Sequence, residues 1–291
     1  MQVAHIIMAY KNPFQVNRLV QRLLHPHCDV FIHLDRKVDI SDFIFLQGYD
    51  NVYFIRDRVV CNWGGFSFVK AISGSVREVL SRNKRYDFIN LLSGQDYPLK
   101  PNDYIYSFLE ANLGKSFISY ELSDNNGVWW KHAVSRYENF HLTDINIRGR
   151  YRVQNILNRI SPKRKFPLSV KLYGSANASW WTLSRDCATY VINELDGNPK
   201  LERFMRYTWA GDEFLFPTLI MNSPFRESVI NNNLRHIEWE DRSPNPKIFK
   251  STDFESLKSS DQLFARKFDL NVDSEIVDKL DILINPLFQP Q

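Results

Sequence analysis

The stretch V-A-H-I-I-M-A-Y-K-N-P at residues 3–13 decides the fold class. Its continuous apolar part, Val3 to Tyr10, is typical of a buried strand, and Asn12-Pro13 marks the start of a helix that continues to about Leu24. A second apolar strand, Asp29 to Leu34, follows. Because a helix joins these two strands, the pattern predicts a βαβ unit with parallel strands.

The same alternation of strands and helices continues along the chain. Val52 to Ile55 and Phe88 to Leu92 are further strand candidates, and a helix with apolar periodicity follows Trp63-Gly64-Gly65. In the second half, 175–183 is typical of a strand or hairpin, and 185–195 and 211–221 are typical of helices. We therefore expect one α/β domain over 1–291, with an open, mostly parallel central sheet flanked by helices.

Composition and charge exclude several classes of protein. The 291 residues are 44% hydrophobic, which excludes a disordered chain, and 37 Lys+Arg against 33 Asp+Glu give a net charge of +4, too small to indicate a nucleic-acid partner. No run of 18 apolar residues and no signal peptide are visible, so no membrane span is expected. Three widely spaced cysteines indicate a reducing compartment.

In open α/β sheets ligands bind beyond the carboxyl ends of the strands. Those ends here are His5 through Lys11, Asp35-Arg36-Lys37 and Ser93-Gly94-Gln95-Asp96. A carboxylate directly after a strand can accept hydrogen bonds from a ribose or sugar hydroxyl, or it can cap the following turn. No G-x-G-x-x-G and no P-loop motif follows a strand, so dinucleotide and P-loop sites lose their main support.

An acidic pair, Asp212-Glu213, stands at the start of the apolar helix predicted over 211–221. The positive end of a helix favours the ionised carboxylate, which suits a general base. The alternative is ordinary charge complementarity at a helix start. Asp212 would then be the cap, leaving Glu213 to face a cleft.

Basic residues would supply the positive charge that neutralises a bound phosphate. No D-x-D triplet, H-E-x-x-H motif or EF-hand loop is present, so no metal site and no cofactor are expected. The run L-F-A-R-K-F-D at 263–269 holds Arg266 and Lys267 between aromatic residues. Such a fixed pair can bind a diphosphate, or it can form surface ion pairs.

The segment 148–171 holds eight Lys and Arg and no acidic residue. Within it, Val153, Ile156, Leu157 and Ile160 fall at helical spacing. A basic amphipathic helix of this kind suits an anionic membrane surface, and the alternative is a helix that packs its apolar face into the core.

Taken together, these runs resemble the core-2/I-branching glycosyltransferase family, which includes the peptide O-xylosyltransferases. Seven runs occur in the family's order across residues 4–269: A-H-I-I-M-A-Y-K-N-P at 4–13, V-F-I-H-L-D-R-K at 30–37, V-V-C-N-W-G-G-F-S at 59–67, F-I-N-L-L-S-G-Q-D-Y-P-L-K at 88–100, G-S-A-N-A-S-W-W-T-L-S-R at 174–185, T-W-A-G-D-E-F-L-F-P-T at 208–218 and L-F-A-R-K-F-D at 263–269.

This resemblance implies a GT-A-like fold and inverting, metal-independent transfer of a sugar from a UDP-sugar to a hydroxyl, with formation of a β linkage. Residues 1–100 would bind the nucleotide sugar, and 101–291 would bind the acceptor and supply the C-terminal diphosphate-binding segment. Glu213 falls on the family's catalytic glutamate. The implied donor-binding residues are Ala9, Asp35, Trp63, Arg266, Lys267 and one upstream cation, Lys250 or Lys247.

The acceptor side depends on aromatic and polar residues suited to stacking on a sugar or hydrogen-bonding to it. Our candidates, drawn partly from the pairs Trp129-Trp130 and Trp180-Trp181, are Trp130, Arg136, Glu138, Trp181, Trp239 and Asp96.

The transferred sugar is GlcNAc by family frequency, with xylose as the alternative, and the acceptor is a glycan or a lipid-linked glycan. The cysteines and the basic segment favour the cytoplasm, with peripheral contact at the inner face of the membrane. Two other functions are open: a non-catalytic nucleotide-sugar or carbohydrate-binding module, and a glycoside hydrolase that uses two carboxylates.

Overall fold

The protein is built on a central β-sheet. The structure, a computed structural model, describes residues 1–123, 127–240, 243 and 245–285. In these ranges the strands are β1 (Val3–Ala9), β2 (Cys28–Leu34), β3 (Val52–Phe54), β4 (Phe88–Ser93), β5 (Asp96–Pro98), β6 (Ser116–Phe117), β7 (Glu121–Leu122), β8 (Tyr173–Gly174), β9 (Thr182–Ser184), β10 (Val229–Ile230), β11 (Arg235–Ile237) and β12 (Phe264–Arg266).

Helices cover the sheet and the loops at its edge. The α-helices in the same part of the chain are α1 (Pro13–Leu23), α2 (Phe66–Leu80), α3 (Asn102–Glu110), α4 (Val128–Glu138), α5 (Arg150–Ile160), α6 (Arg185–Asp196), α7 (Pro199–Met205), α8 (Leu215–Met221), α9 (Phe254–Lys258) and α10 (Glu275–Ile284).

The largest sheet has the order β10-β6-β9-β4-β1-β2-β3. Strand β1 lies parallel to both β2 and β4, and β2 lies parallel to β3, as the βαβ pattern predicts. Strand β9 is antiparallel to its neighbours β4 and β6, while β10 is parallel to β6. The prediction of an α/β fold with a mostly parallel central sheet is confirmed.

Successive residues of β1 point to opposite faces of the sheet, and both faces are buried. Val3 and Ile7 pack into a cluster that includes residues of α1 and α10. Ala4 and Ile6 pack into a second cluster that includes residues of α2, α6 and α8. Burial on both faces explains why β1 is apolar at every position except the buried His5.

A second, three-stranded sheet brings the end of the chain to the carboxyl edge of the large one. Its order is β11-β12-β5, and the antiparallel pairing of β12 with β5 sets Arg266 opposite Asp96. Strand β5 begins three residues after β4 ends. The C-terminal segment therefore lies beside the strand ends at which a ligand is expected.

Two of the predicted elements are wrong in detail. The helix expected over 211–221 is broken at Phe214, with a 3-10 turn at Gly211–Glu213 and α8 after it. The strand or hairpin expected over 175–183 is a turn that leads into β9. The division into a nucleotide-sugar half and an acceptor half stays a prediction.

Candidate active site

The carboxyl ends of three neighbouring parallel strands meet at one edge. The Asp35 backbone N–H donates to the Ala9 carbonyl at 2.9 Å, and the Gly94 N–H donates to the Met8 carbonyl at 2.9 Å. The buried Asp35 carboxylate accepts from the Lys37 N–H at 2.9 Å. The structure thus brings Ala9 and Asp35 together, and Asp35 also caps the turn that follows β2.

The W-G-G loop reaches the segment that holds the acidic pair. Trp63, 66% exposed, stands edge-on to Trp209 with ring centroids 5.2 Å apart. Gly64 has a φ of 69°, and its carbonyl accepts from the Ala210 N–H at 2.8 Å. A side chain at Gly64 would collide with the Trp209 indole. Glycine therefore permits both the turn and the close approach.

Glu213 is held by two residues of α4. Its Oε2 atom accepts a hydrogen bond from Trp129 Nε1 at 3.1 Å and forms an ion pair with Arg136. The Arg136 guanidinium also lies over two rings, 5.3 Å from the Trp129 centroid and 4.8 Å from the Trp209 centroid. No described residue hydrogen-bonds to Oε1, which leaves one carboxylate oxygen able to accept a proton.

Burial raises the pKa of Glu213 to about 7. Arg136 opposes this rise, and the neighbouring Asp212 carboxylate adds to it. We had expected a helix start to favour the ionised form. That expectation is wrong, because Glu213 ends a 3-10 turn and loss of solvent outweighs the nearby cation.

Asp212 links the acidic pair to the C-terminal cations. Its Oδ2 atom accepts from Ser179 Oγ at 2.6 Å, and burial raises its pKa. Positive charge on Arg136 and on Arg266 opposes that rise. Ser179 directly precedes Trp180, whose ring lies 4.4 Å from the Arg266 guanidinium, so the turn before β9 lies between the acidic pair and Arg266.

Arg266 is fixed by a buried carboxylate and an aromatic ring. Its Nη1 atom lies 2.8 Å from Asp96 Oδ1, and its guanidinium lies 4.4 Å from the Trp180 ring centroid. Asp96 is fully buried and also accepts from the Ser93 N–H at 3.0 Å. Our assignment of Asp96 to acceptor binding is wrong, since both of its oxygens are engaged with the protein and have no access to a sugar.

Lys267 is half-buried and has no ion-pair partner among the described residues. Its pKa is lowered by burial and by the neighbouring cations Arg266 and Lys11, against the effect of Asp269. The following residue, Phe268, donates its N–H to the Gln95 carbonyl at 2.9 Å. An under-solvated ammonium group therefore lies beside the strand edge, where an anion would stabilise it.

Lys247 and Lys250, the two candidate cations upstream of Arg266, differ in whether their charge is already paired. Lys247 Nζ lies 2.9 Å from a Glu238 oxygen and 2.8 Å from an Asp253 oxygen, so its charge is already neutralised. Lys250 is exposed and forms no ion pair with any residue that the structure describes. The N–H of the intervening Phe249 donates to the Lys267 carbonyl at 2.9 Å. Of the two, Lys250 is the cation free to meet a phosphate.

Two of the three tryptophans assigned to the acceptor are core residues. Trp130 is 2% exposed and donates to the Glu121 carbonyl at 3.0 Å, and Trp181 is 1% exposed. These assignments are wrong, because neither ring offers a face to a ligand. Their neighbours Trp129 and Trp180 contact Glu213 and Arg266 instead.

The remaining acceptor candidates have different positions. Arg136 belongs to the Glu213 cluster described above. Trp239 is 40% exposed, and its Nε1 donates to Asn177 Oδ1 at 2.8 Å. Glu138 ends α4, and its carbonyl accepts from the Arg164 N–H at 2.9 Å. The structure places neither Trp239 nor Glu138 in hydrogen-bond contact with Glu213.

The sequence singles out the pairs Trp129-Trp130 and Trp180-Trp181, but the choice of Trp130 and Trp181 passes over the two members that contact the site, and Ser179 and Trp209 are missed altogether. A signal for Trp129 was present: it precedes Arg136 by seven residues, so both lie on one face of α4. No comparable spacing marked Trp180.

In the described ranges no group of three or more His, Cys, Asp or Glu side chains is placed to hold a metal ion, and no helix is long and apolar enough to cross a membrane.

Comparison with known protein families shows which family the chain belongs to. The sequence matches the model of the Core-2/I-Branching enzyme family over residues 3–261. The chain belongs to this family, which confirms the resemblance, and six of its seven runs lie within the matched residues.

Named relatives include two xylosyltransferases. Xylosyltransferase 2 of Rattus norvegicus is 28% identical over 300 residues, covering 95% of this chain and 33% of the relative. Xylosyltransferase 1 of Mus musculus is 26% identical over 312 residues, covering 99% and 31%. The chain thus spans about a third of the length of the curated relatives it matches.

Two solved structures are similar at a low level. Mouse xyloside xylosyltransferase 1 in its apo form has a TM-score of 0.42 and 11% identity, covering 90% of this chain and 97% of that one. The WbbM bifunctional glycosyltransferase has a TM-score of 0.42 and 12% identity, covering 96% and 49%.

Proposed function

We propose that the chain is an inverting, metal-independent glycosyltransferase that moves a sugar from a UDP-sugar to a hydroxyl of a glycan or lipid-linked glycan. The observation that carries this proposal is the position of Glu213. Its carboxylate is largely shielded from water and has a pKa of about 7, and the neighbouring Asp212 accepts from Ser179, which precedes the Trp180 ring on which Arg266 lies. A general base and an anion-binding group in one site are what transfer from a nucleotide sugar requires.

In the proposed step Glu213 accepts the proton of the acceptor hydroxyl. The hydroxyl oxygen forms a bond to the anomeric carbon as the bond from that carbon to the diphosphate oxygen breaks, and UDP leaves with the electron pair. Attack opposite the leaving group inverts the anomeric centre and gives the β linkage. A base with a pKa of about 7 is half ionised at neutral pH, which suits this role.

Arg266, Lys267 and Lys250 would stabilise the departing diphosphate. Arg266 is oriented before any ligand arrives, so it loses little freedom on binding. Burial costs Lys267 part of its hydration, and a diphosphate oxygen would compensate for that loss. These three cations support metal-independent chemistry in our proposal, and Ala9, Asp35 and Trp63 would hold the uridine portion.

For the donor we propose UDP-GlcNAc first, from family frequency. The relatives named xylosyltransferase support UDP-xylose as the alternative. A cytoplasmic location belongs to the same proposal, and the three free cysteines support it.

A donor screen tests this function. Thermal shift and UDP release are measured for UDP-GlcNAc, UDP-xylose, UDP-glucose and UDP-galactose, each with EDTA present and with and without glycan acceptors. We expect one donor to raise the melting temperature and to release UDP in the presence of EDTA. Stabilisation without UDP release under any acceptor condition would favour a binding module, and cleavage of glycans without any nucleotide sugar would favour a hydrolase.

A further inference from the structure

Helix α5 carries its apolar residues on the outside of the protein. None of its residues is buried, and Val153, Ile156 and Ile160 are 45%, 61% and 75% exposed. The alternative that these residues pack into the core is therefore wrong. We call Val153, Ile156 and Ile160 the α5 stripe.

Polar side chains on another face hold the helix in this orientation. Gln154 Oε1 accepts from the Leu142 N–H at 2.9 Å. Asn158 accepts from the Phe140 N–H at 2.7 Å and donates to the Phe140 carbonyl at 2.9 Å. Residues four apart lie on the same helical face, so these two amides anchor one side of α5. The outward direction of the α5 stripe is thus set by hydrogen bonds.

Charge around the α5 stripe is of one sign. Of the eight basic residues at 148–171, Arg164 is structural: it donates to the Tyr207 carbonyl at 2.6 Å and lies 3.9 Å from the Phe204 ring centroid. Six others are exposed, and the segment holds no acidic residue. The exposed cations are Arg148, Arg152, Arg159, Lys163, Lys165 and Lys171.

We infer that α5 and the basic segment after it dock the protein on an anionic membrane surface. The α5 stripe would enter the boundary between headgroups and acyl chains, and the exposed cations would contact lipid phosphates. Exposed apolar residues in a segment that holds cations and no acidic residue match this surface, which has an apolar interior and negatively charged headgroups. The inference goes beyond the proposed function and does not depend on it.

The docking surface adjoins the candidate active site. Its anchor, 140–143, directly follows α4, the helix that carries Trp129 and Arg136. Arg164 joins the same region to the segment that leads into Asp212-Glu213. A membrane-bound acceptor would therefore meet the acidic pair from the side on which the protein docks.

Co-sedimentation of the full chain with vesicles tests the inference. One set contains phosphatidylcholine alone, and the other contains added phosphatidylglycerol. We expect binding to the anionic vesicles only, weakened by salt and lowered about tenfold or more in the double variant Ile156→Asn, Ile160→Asn. The control variant Val272→Asn, Ile282→Asn changes residues that are 50% and 48% exposed elsewhere, and should bind like the wild type.

Unchanged melting temperatures would show that both double variants fold. Equal binding to both kinds of vesicle, no binding, or full binding by the Ile156→Asn, Ile160→Asn variant would overturn the inference. Light scattering gives one more outcome. If the wild type formed a dimer that the Ile156→Asn, Ile160→Asn variant abolished, and neither protein bound vesicles, the α5 stripe would be an interface between two copies of the chain. That result would also overturn the inference.

Discussion

Arg136 and Glu213 form an ion pair in which the arginine engages only the Oε2 atom of the carboxylate. The pair is largely shielded from water, with 17% of the arginine side chain and 19% of the glutamate side chain exposed. Burial raises the pKa of Glu213, the Arg136 cation lowers it, and the resulting pKa is about 7. We interpret Arg136 as the residue that positions Glu213 and tunes its proton affinity.

The pH dependence of Arg136→Gln tests this interpretation. A general base works when deprotonated, so activity should rise with pH through the pKa of Glu213. Without the arginine, only the Trp129 hydrogen bond still opposes the effect of burial on the pKa of Glu213, and the acidic limb of the kcat/KM profile should move up by about one pH unit or more.

Arg206→Gln is the matched control, because Arg206 pairs with Glu202 on the surface and both are more than a third exposed. It should leave the profile in place. An acidic limb that stayed in place in Arg136→Gln as well would contradict the tuning role, and a loss of activity at every pH would then indicate a purely structural one.

Arg266→Ala and Lys267→Ala should separate stability from ligand binding. Removal of Arg266 leaves the fully buried Asp96 without its cation, and we expect the free energy of unfolding to fall by about 3 kcal/mol. Lys267 has no ion-pair partner among the described residues, so its removal should cost less than about 1 kcal/mol.

Both substitutions should weaken UDP binding by about tenfold or more, because each removes a charge from the proposed diphosphate site. Denaturant unfolding and calorimetric titration with UDP measure the two effects. UDP affinity equal to that of the wild type in Lys267→Ala would remove this lysine from the donor site.

Gly64→Ala should cost more stability than Gly114→Ala. Both glycines have positive φ, 69° and 81°, so each substitution costs about 1 kcal/mol of backbone strain. A side chain at Gly64 also collides with Trp209, whereas nothing lies within 4 Å at Gly114. We expect about 2 kcal/mol more destabilisation for Gly64→Ala, measured by denaturant unfolding. Equal losses of stability in the two variants would mean that the loop at Gly64 moves away from Trp209 without a cost in free energy.

The central sheet could be predicted because its strands and helices depend on the local pattern of apolar residues along the chain. Val3–Ala9 is apolar apart from His5 and is buried on both faces, and Pro13 starts the helix where expected. Ala9 and Asp35 lie together at the carboxyl edge of the sheet, as the strand ends predict, and their role in donor binding stays a prediction. Glu213 and Lys267 were identified through the family's motifs, whereas spacing alone left their alternatives open.

Contacts between distant segments could not be predicted. The spacing from Arg136 favours Trp129 in the first pair, but nothing local shows which member of Trp180-Trp181 points into the core. The orientation of α5 was equally hidden, because its anchors are ordinary amides that bond to the backbone of Phe140 and Leu142. Apolar spacing identifies a helical face and leaves open whether the protein covers it.

Glu213→Gln tests the central claim most directly. The amide keeps the shape of the side chain and cannot accept the proton, so kcat for sugar transfer should fall by about a thousandfold, while the affinity for UDP stays within about twofold. Glu202→Gln, on the exposed face of α7, is the matched control and should keep full activity. Turnover by Glu213→Gln equal to that of the wild type would contradict the account.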